Sequence, residues 1–140
     1  MKIKIKKIYP DAIIPSYQRK GDAGLDLCAY EEYELKPGER HAFKTGIALE
    51  LPNGYVALIW DRSGLAVKHG LTCLAGVVDA NYRGEVMVCL LNTSKENYKV
   101  EKGHRIAQLL IQPVEQVEFE ETSELLETER GNGWSGSSGY

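Results

Sequence analysis

The sequence predicts an all-β, single-domain protein, an antiparallel sandwich or barrel, and three observations carry that prediction. At 140 residues the chain is one domain long and large enough to bury a core. Short apolar or β-branched runs recur along it, two of them alternating with period two. Turn residues with a defined backbone mechanism separate them. Hydrophobic and charged fractions of 43% and 26% are those of a globular protein, not a disordered one.

Taken in order, "KIKIKKI" (2–8) alternates polar and apolar residues, and "GIALELP" (46–52) places Ile47, Leu49 and Leu51 on one face. "GYVALIW" (54–60), "GEVMVCLLN" (84–92), "HRIAQLLIQP" (104–113) and "VEQVEFEE" (114–121) read as further strands. In "KPGE" (36–39), "LPNG" (51–54) and "EKGH" (101–104), Pro or Asn sets the bend and Gly supplies positive φ. "SGLAVKHG" (63–70) reads as a short helix with Ser63 as N-cap and Gly70 as stop, and "SELLE" (123–127) as a single turn at most. No repeat or internal boundary is visible, and composition breaks only at Arg130.

Composition excludes several function classes. A net charge of −3 with no long basic stripe argues against a nucleic-acid partner. No apolar run approaches the roughly 18 residues that cross a bilayer, and "MKIKIKKIYP" lacks the apolar core of a signal peptide, so a cytoplasmic protein is expected. Cys28, Cys73 and Cys89 are an odd count without a C-x-x-C pair and read as buried free thiols. His41, His69 and His104 lack metal-ligand spacing. Neither a P-loop nor a G-x-G-x-x-G fingerprint is present.

The chemistry concentrates in a few polar residues. Asp26 lies between leucines on a presumed strand. Asp79 ends an apolar run at a tight turn, where Asp often bonds its own backbone; Tyr82 and Arg83 in the same turn are more than a hairpin tip needs. Arg62 and Ser63 open the short helix, where N–H groups, a hydroxyl and a guanidinium suit phosphate oxygens, or where they form a plain cap beside a surface arginine. Arg105 and Gln108 stand near a strand start, as a surface cation and edge amide or as part of a site. Finally, "RGNGWSGSSGY" (130–140) is too rich in glycine and serine to form a packed element. It is either an appended flexible linker or a segment that closes over something.

Together and in order, "DAGLDLCA" (22–29), "DRSGLA" (61–66), "GVVDANYRGE" (76–85), "GHRIAQLL" (103–110) and "RGNGWSGSSG" (130–139) resemble the five motifs of the trimeric deoxyuridine triphosphatases (dUTPases). The resemblance spans nearly the whole chain, including "AVKHGL" and "LETERG", and identifies the tail as part of the protein. It implies a jelly-roll-like β-barrel with one short helix over residues 1–129, assembled as a homotrimer, with 130–140 as a flexible lid completing a neighbouring active site. It also implies hydrolysis of dUTP to dUMP and pyrophosphate, usually with Mg²⁺, which limits uracil in DNA and supplies dUMP for dTMP synthesis.

By the same resemblance, Asp79 would orient and help deprotonate the water attacking the α-phosphorus, and Asp26 would hold a water on the metal, an ion carried mainly by the triphosphate. Arg62, Ser63, Gly64, Arg105 and Gln108 would bind the phosphates. Tyr82 would pack under the sugar, and the backbone from Gly76 through Val78 to Tyr82 would pair with uracil. Arg130, Ser137 and Ser138 would close on the γ-phosphate, with Trp134, Ser135 and Gly136 over the base. Three positions depart from the family pattern. Asp61 stands in place of a proline, His104 in place of an acidic residue, and Trp134-Ser135 where Gly-Phe is usual. Other readings of the same scaffold are a dCTP deaminase-related enzyme and a non-catalytic nucleotide sensor.

Overall fold

The computed structural model describes residues 1–136, 138 and 139. It contains eleven strands and one helix, in the order β1 (Lys4–Lys7), β2 (Leu25–Cys28), β3 (Tyr33–Leu35), β4 (Arg40–Lys44), β5 (Ile47–Glu50), β6 (Tyr55–Trp60), α1 (Ser63–His69), β7 (Leu71–Leu74), β8 (Val77–Val78), β9 (Met87–Asn92), β10 (Tyr98–Val100) and β11 (Arg105–Pro113). All pairings between them are antiparallel.

The expected β-barrel is not formed. The strands make four separate sheets, β1-β5, β10-β3, β2-β11-β6-β8 and β4-β9-β7, and none closes on itself. A barrel needs every strand hydrogen-bonded on both sides. Here the largest sheet ends at the four residues of β2 and the two of β8, which do not pair with each other. The result is a set of short open sheets and a short helix around one core.

That core draws from nearly every strand. Phe43, Leu27, Leu35, Ile47, Leu71, Leu90, Val88 and Ile106 are all essentially inaccessible, and each such side chain contributes roughly 1.5–3 kcal/mol on burial. Ile47, Leu49 and Leu51 are all buried as expected, but Ala48 between them is buried as well, so β5 is covered on both faces rather than alternating. Asn92 is a fully buried polar residue among them. Its amide donates to the carbonyls of Leu35 and Glu96 and its oxygen accepts from Ser94, so no polar atom of it is stranded.

Three local expectations change. Residues 114–121 form no strand, because after Val114 N–H bonds the Gly54 carbonyl the segment has no strand of its own chain to pair with. Residues 123–127 form no helical turn. Ser63 is the first helical residue rather than the cap; Arg62 holds the cap position with extended backbone and no side-chain cap bond. Gly70 does end the helix, at φ 67° in the left-handed region that favours glycine.

Candidate active site

Register builds the site. On β11, Gln108 lies opposite Asp26 of β2 on one side and Trp60 of β6 on the other. A β-bulge falls between Arg105 and Ala107. Ile106 and Ala107 are therefore both buried, and Arg105 emerges on the same face as Gln108. Without the extra residue Arg105 would be out of phase with the rest of the site.

Asp26, Arg105 and Gln108 line a cavity of about 610 Å³, together with Gln18, Arg19, Asp22, Ala23, Gly24, Arg62, Ser63 and Gly64. Asp26 is its electrostatic centre. Its carboxylate lies 3.2 Å from Arg62 Nε and 3.3 Å from an Arg105 guanidinium nitrogen, with its side chain only 12% exposed. Arg62 also donates to the Arg105 carbonyl at 3.2 Å. Three arginines against two aspartates leave the cavity net positive, and each guanidinium keeps further N–H donors for an anion.

Gln108 is clamped. Its amide nitrogen donates to the Asp61 carbonyl at 2.7 Å, and its side chain lies across Gly24, where a Cβ would come within 2.3 Å of the amide oxygen. Glycine at position 24 is thus a steric requirement of Gln108. Gln18, Arg19, Asp22 and Gly24 are cavity residues that the sequence reading did not assign. Arg19, a cation three residues before the "DAGLDL" motif, was the available signal. The Asp22 carboxylate accepts from the Arg19 N–H at 2.8 Å and fixes that turn.

Other expected site residues lie elsewhere. Gly76, Val78, Asp79 and Tyr82 do not line the large cavity. Asp79 is exposed on the turn after β8, where its carbonyl accepts from the Tyr82 N–H at 3.1 Å. Arg83 holds this turn by donating to the Ala80 and Tyr82 carbonyls at 2.6 and 3.0 Å. The Tyr82 hydroxyl donates to the Glu85 carbonyl at 2.9 Å. Val78 is buried in the core, so only its backbone can meet a ligand. In the tail, Arg130 donates to the Gly133 carbonyl at 2.9 Å and Trp134 is 85% exposed. Ser135, Gly136 and Ser138 are exposed as well, and Ser137 lies outside the described residues.

The departures resolve into contacts. The Asp61 carboxylate accepts from the Thr72 hydroxyl at 2.7 Å and the Cys73 N–H at 2.6 Å. His104 pairs with Glu101 within its own turn, and Arg105 takes its carboxylate partner from Asp26 instead. Burial, together with the adjacent Asp61 carboxylate, pushes the Cys73 thiol up to about 12. Cys28, Cys73 and Cys89 are free thiols, partly rather than fully buried.

A Mg²⁺ ion fits this donor set only in one way. Among the described residues no group of three or more His, Cys, Asp or Glu side chains could cage a metal, and both Asp26 oxygens are engaged by guanidiniums. The residues therefore suit a hydrated ion that a polyphosphate brings with it, as Mg²⁺ commonly binds.

Comparison with known proteins gives the family of the chain. The family model for dUTPase matches residues 10–139. The deoxyuridine 5'-triphosphate nucleotidohydrolase of Nautilia profundicola is 50% identical over 99% of this chain and 99% of its own. That of Clostridioides difficile is 46% identical over 99% and 98%. Among solved structures, the Staphylococcus bacteriophage 80alpha dUTPase with dUPNHPP superposes with TM-score 0.91 at 32% identity, covering 99% of both chains. A mutant dUTPase from phage phi11 of S. aureus, described with a structural Mg(II) ion, gives 0.84 at 26% over 91% of this chain and all of that one. With its motifs in order along the chain and three of them gathered at one arginine-lined cavity, the chain belongs to the dUTPase family of hydrolases.

Proposed function

We propose that the protein hydrolyses dUTP to dUMP and pyrophosphate. The observation that carries this reading is the net-positive cavity in which Asp26 spaces the Arg62 and Arg105 guanidiniums, in a chain whose relatives are named for this activity. Phosphoryl transfer asks the protein chiefly for positioning and charge neutralisation. Arg62, Arg105, Ser63, Gly64 and Gln108 bind the phosphate oxygens and hold the chain of phosphates extended. Asp26 lets the two arginines stand side by side and would hold, through water, a Mg²⁺ ion brought by the triphosphate. When bound, that ion neutralises developing charge on the phosphates.

Asp79 orients the attacking water toward the α-phosphorus and accepts its proton. A free aspartate is a weak base near neutral pH, so this role needs the enclosure that closure of the tail provides. Arg130, Ser137 and Ser138 meet the terminal phosphate on closure, while Trp134, Ser135 and Gly136 cover the base. Tyr82 excludes a ribose 2′-hydroxyl, and the backbone from Gly76 to Tyr82 reads uracil.

Homotrimeric assembly with shared sites is part of the proposal. Asp79 and Tyr82 lie outside the cavity of their own chain, which supports their serving a neighbour's. Residues 114–126 carry Val117, Phe119, Leu125 and Leu126 at 67%, 96%, 86% and 96% exposure, apolar surface that a second subunit would cover. Cyclic closure is the common way to complete such sites.

The test is product formation from dUTP, dCTP, dTTP and UTP with Mg²⁺, alongside light scattering. Strong preference for dUTP by a trimer is expected. Comparable kcat/KM for UTP and dUTP, or a fully active monomer, would overturn the reading.

A further inference from the structure

Asp61 is the junction between β6 and α1, and its polar atoms are engaged by two other strands. Its main-chain carbonyl accepts from Gln108 on β11 at 2.7 Å. Its carboxylate accepts from the Thr72 hydroxyl and the Cys73 N–H on β7, at 2.7 and 2.6 Å. These strands belong to different sheets. β11 pairs with β6, whereas β7 is the edge of the sheet that holds β9 and β4. The Asp61 side chain therefore straps the edge of one sheet to the end of a strand in the other.

Two cavities flank this junction, and Asp61 itself lines the smaller. The large one lies on the Gln108 side. A second, of about 220 Å³, is lined by Trp60, Asp61, Thr72, Cys73 and Gly76 among others. From Cys73, β7 runs directly into Ala75 and Gly76, whose φ angles of 62° and 108° are left-handed, then into β8 and the Asp79 turn. Gly76 is pressed onto β6: its carbonyl accepts from the Ile59 N–H at 2.8 Å, and a Cβ there would stand 2.7 Å from the Ile59 carbonyl oxygen. A shift of β7 relative to β6 therefore has little slack to absorb it at Gly76 and would be passed to the turn.

We propose that Asp61 is a specificity-determining positioning residue, whose carboxylate holds β7, and with it the turn from Gly76 to Tyr82, at a set offset from the phosphate-binding arm at Arg62. This rests on reading that turn as the uracil pocket. One chain would thereby tie the phosphate cavity it lines to the base-reading turn it presents. Because Gln108 bonds the Asp61 main chain, removing the side chain loosens the turn and leaves the phosphate cavity in place.

The experiment compares the full-length wild type with Asp61→Ala, Asp61→Asn and Thr72→Val. Monophosphate formation from dUTP and dCTP is followed by chromatography, inorganic pyrophosphate is titrated as an inhibitor, and amide exchange is read over residues 71–82 and 104–113. Asp61→Ala is expected to lower the dUTP-over-dCTP ratio of kcat/KM on the order of tenfold, the scale of a small misplacement. The same variant should speed exchange over 71–82, leave 104–113 unchanged, and hold pyrophosphate inhibition within about twofold, since direct phosphate contacts persist. Asp61→Asn should restore most of the ratio, because its amide oxygen still accepts from Cys73 and the Thr72 hydroxyl can turn to accept from its nitrogen. Thr72→Val should fall between and keeps the test alive if the alanine variant does not fold. An unchanged ratio and unchanged exchange in the folded variants overturn the proposal, as does a parallel loss of discrimination and pyrophosphate inhibition. A wild type that leaves dUTP intact while Asp61→Ala still loosens 71–82 refutes the activity and not the strap.

Discussion

The Asp26 carboxylate stands between two guanidiniums, 3.2 Å from Arg62 and 3.3 Å from Arg105, at the centre of the cavity. Each arginine alone would repel the other, and the carboxylate lets them share a wall. Asp26→Asn keeps the volume and removes the charge. It is expected to lower kcat/KM for dUTP on the order of 10²-fold, the cost of misplacing substrate-positioning groups, with the circular dichroism spectrum unchanged. Steady-state kinetics at several Mg²⁺ concentrations check it, and near-normal turnover would remove Asp26 from the site.

Gly24→Ala tests the clamp on Gln108. The added Cβ meets not only the amide oxygen at 2.3 Å but also Gln108 Cβ at 2.9 Å, so turning the amide alone cannot relieve it. The variant should lose roughly 1–3 kcal/mol of stability, the scale of overpacking, and raise KM for dUTP more than it lowers kcat. A thermal melt and a KM series suffice. Wild-type KM would show that Gln108 is not a phosphate contact.

Asp79→Asn should retain the fold and affinity for a non-hydrolysable dUTP analogue while turnover drops on the order of 10², the general-base scale. Calorimetry paired with turnover separates the two. Equal losses in binding and turnover would assign the residue to ligand binding instead.

Stability should fall in acid through Asp11. Hydrogen bonds from Lys102 and Tyr30 hold its carboxyl down at about 2, from an ordinary 3.8. A carboxyl whose folded value is depressed stabilises the fold above its unfolded value and loses that contribution as the pH drops toward the folded one. The window is therefore about pH 4 down to about 2. Urea melts across that range should show a steeper decline for wild type than for Asp11→Asn, and identical slopes would mean the contact is absent in solution.

If residues 130–140 form the proposed lid, deleting them should leave the proposed trimer intact and abolish most hydrolysis, since a lid contributes after binding. With Trp60→Phe as background, Trp134 emission should change on adding a non-hydrolysable dUTP analogue with Mg²⁺. An indole over a base is worth roughly 1–3 kcal/mol by analogy with single-stranded nucleic-acid sites. Unaltered emission, with Trp134→Ala fully active, would leave closure to Arg130 alone.

The sequence by itself determined the family, the strand-rich character and the motif residues, because period-two alternation, turn chemistry and ordered motifs are local signals. Ile47, Leu49 and Leu51 are buried as that pattern expects, though Ala48 between them is buried too. Several decisions were made only by the tertiary structure. Whether strands close into a barrel depends on which edges find partners: β2 gains only a single bridge to Ser16 on its outer edge, and β2 and β8 do not pair with each other. Residues 114–121 read as a strand from composition, yet beyond the Val114 N–H bond to the Gly54 carbonyl they pair with no strand among the described residues. Arg105 reaches Asp26 because a bulge shifts its phase, and a bulge is set by the neighbouring strand. Asp61 and Arg19 have roles that appear only when segments distant in sequence meet, Asp61 across two sheets and Arg19 at the cavity wall. Non-local hydrogen bonds and packing leave no periodic trace in the chain, so that part of the site had to be read in three dimensions.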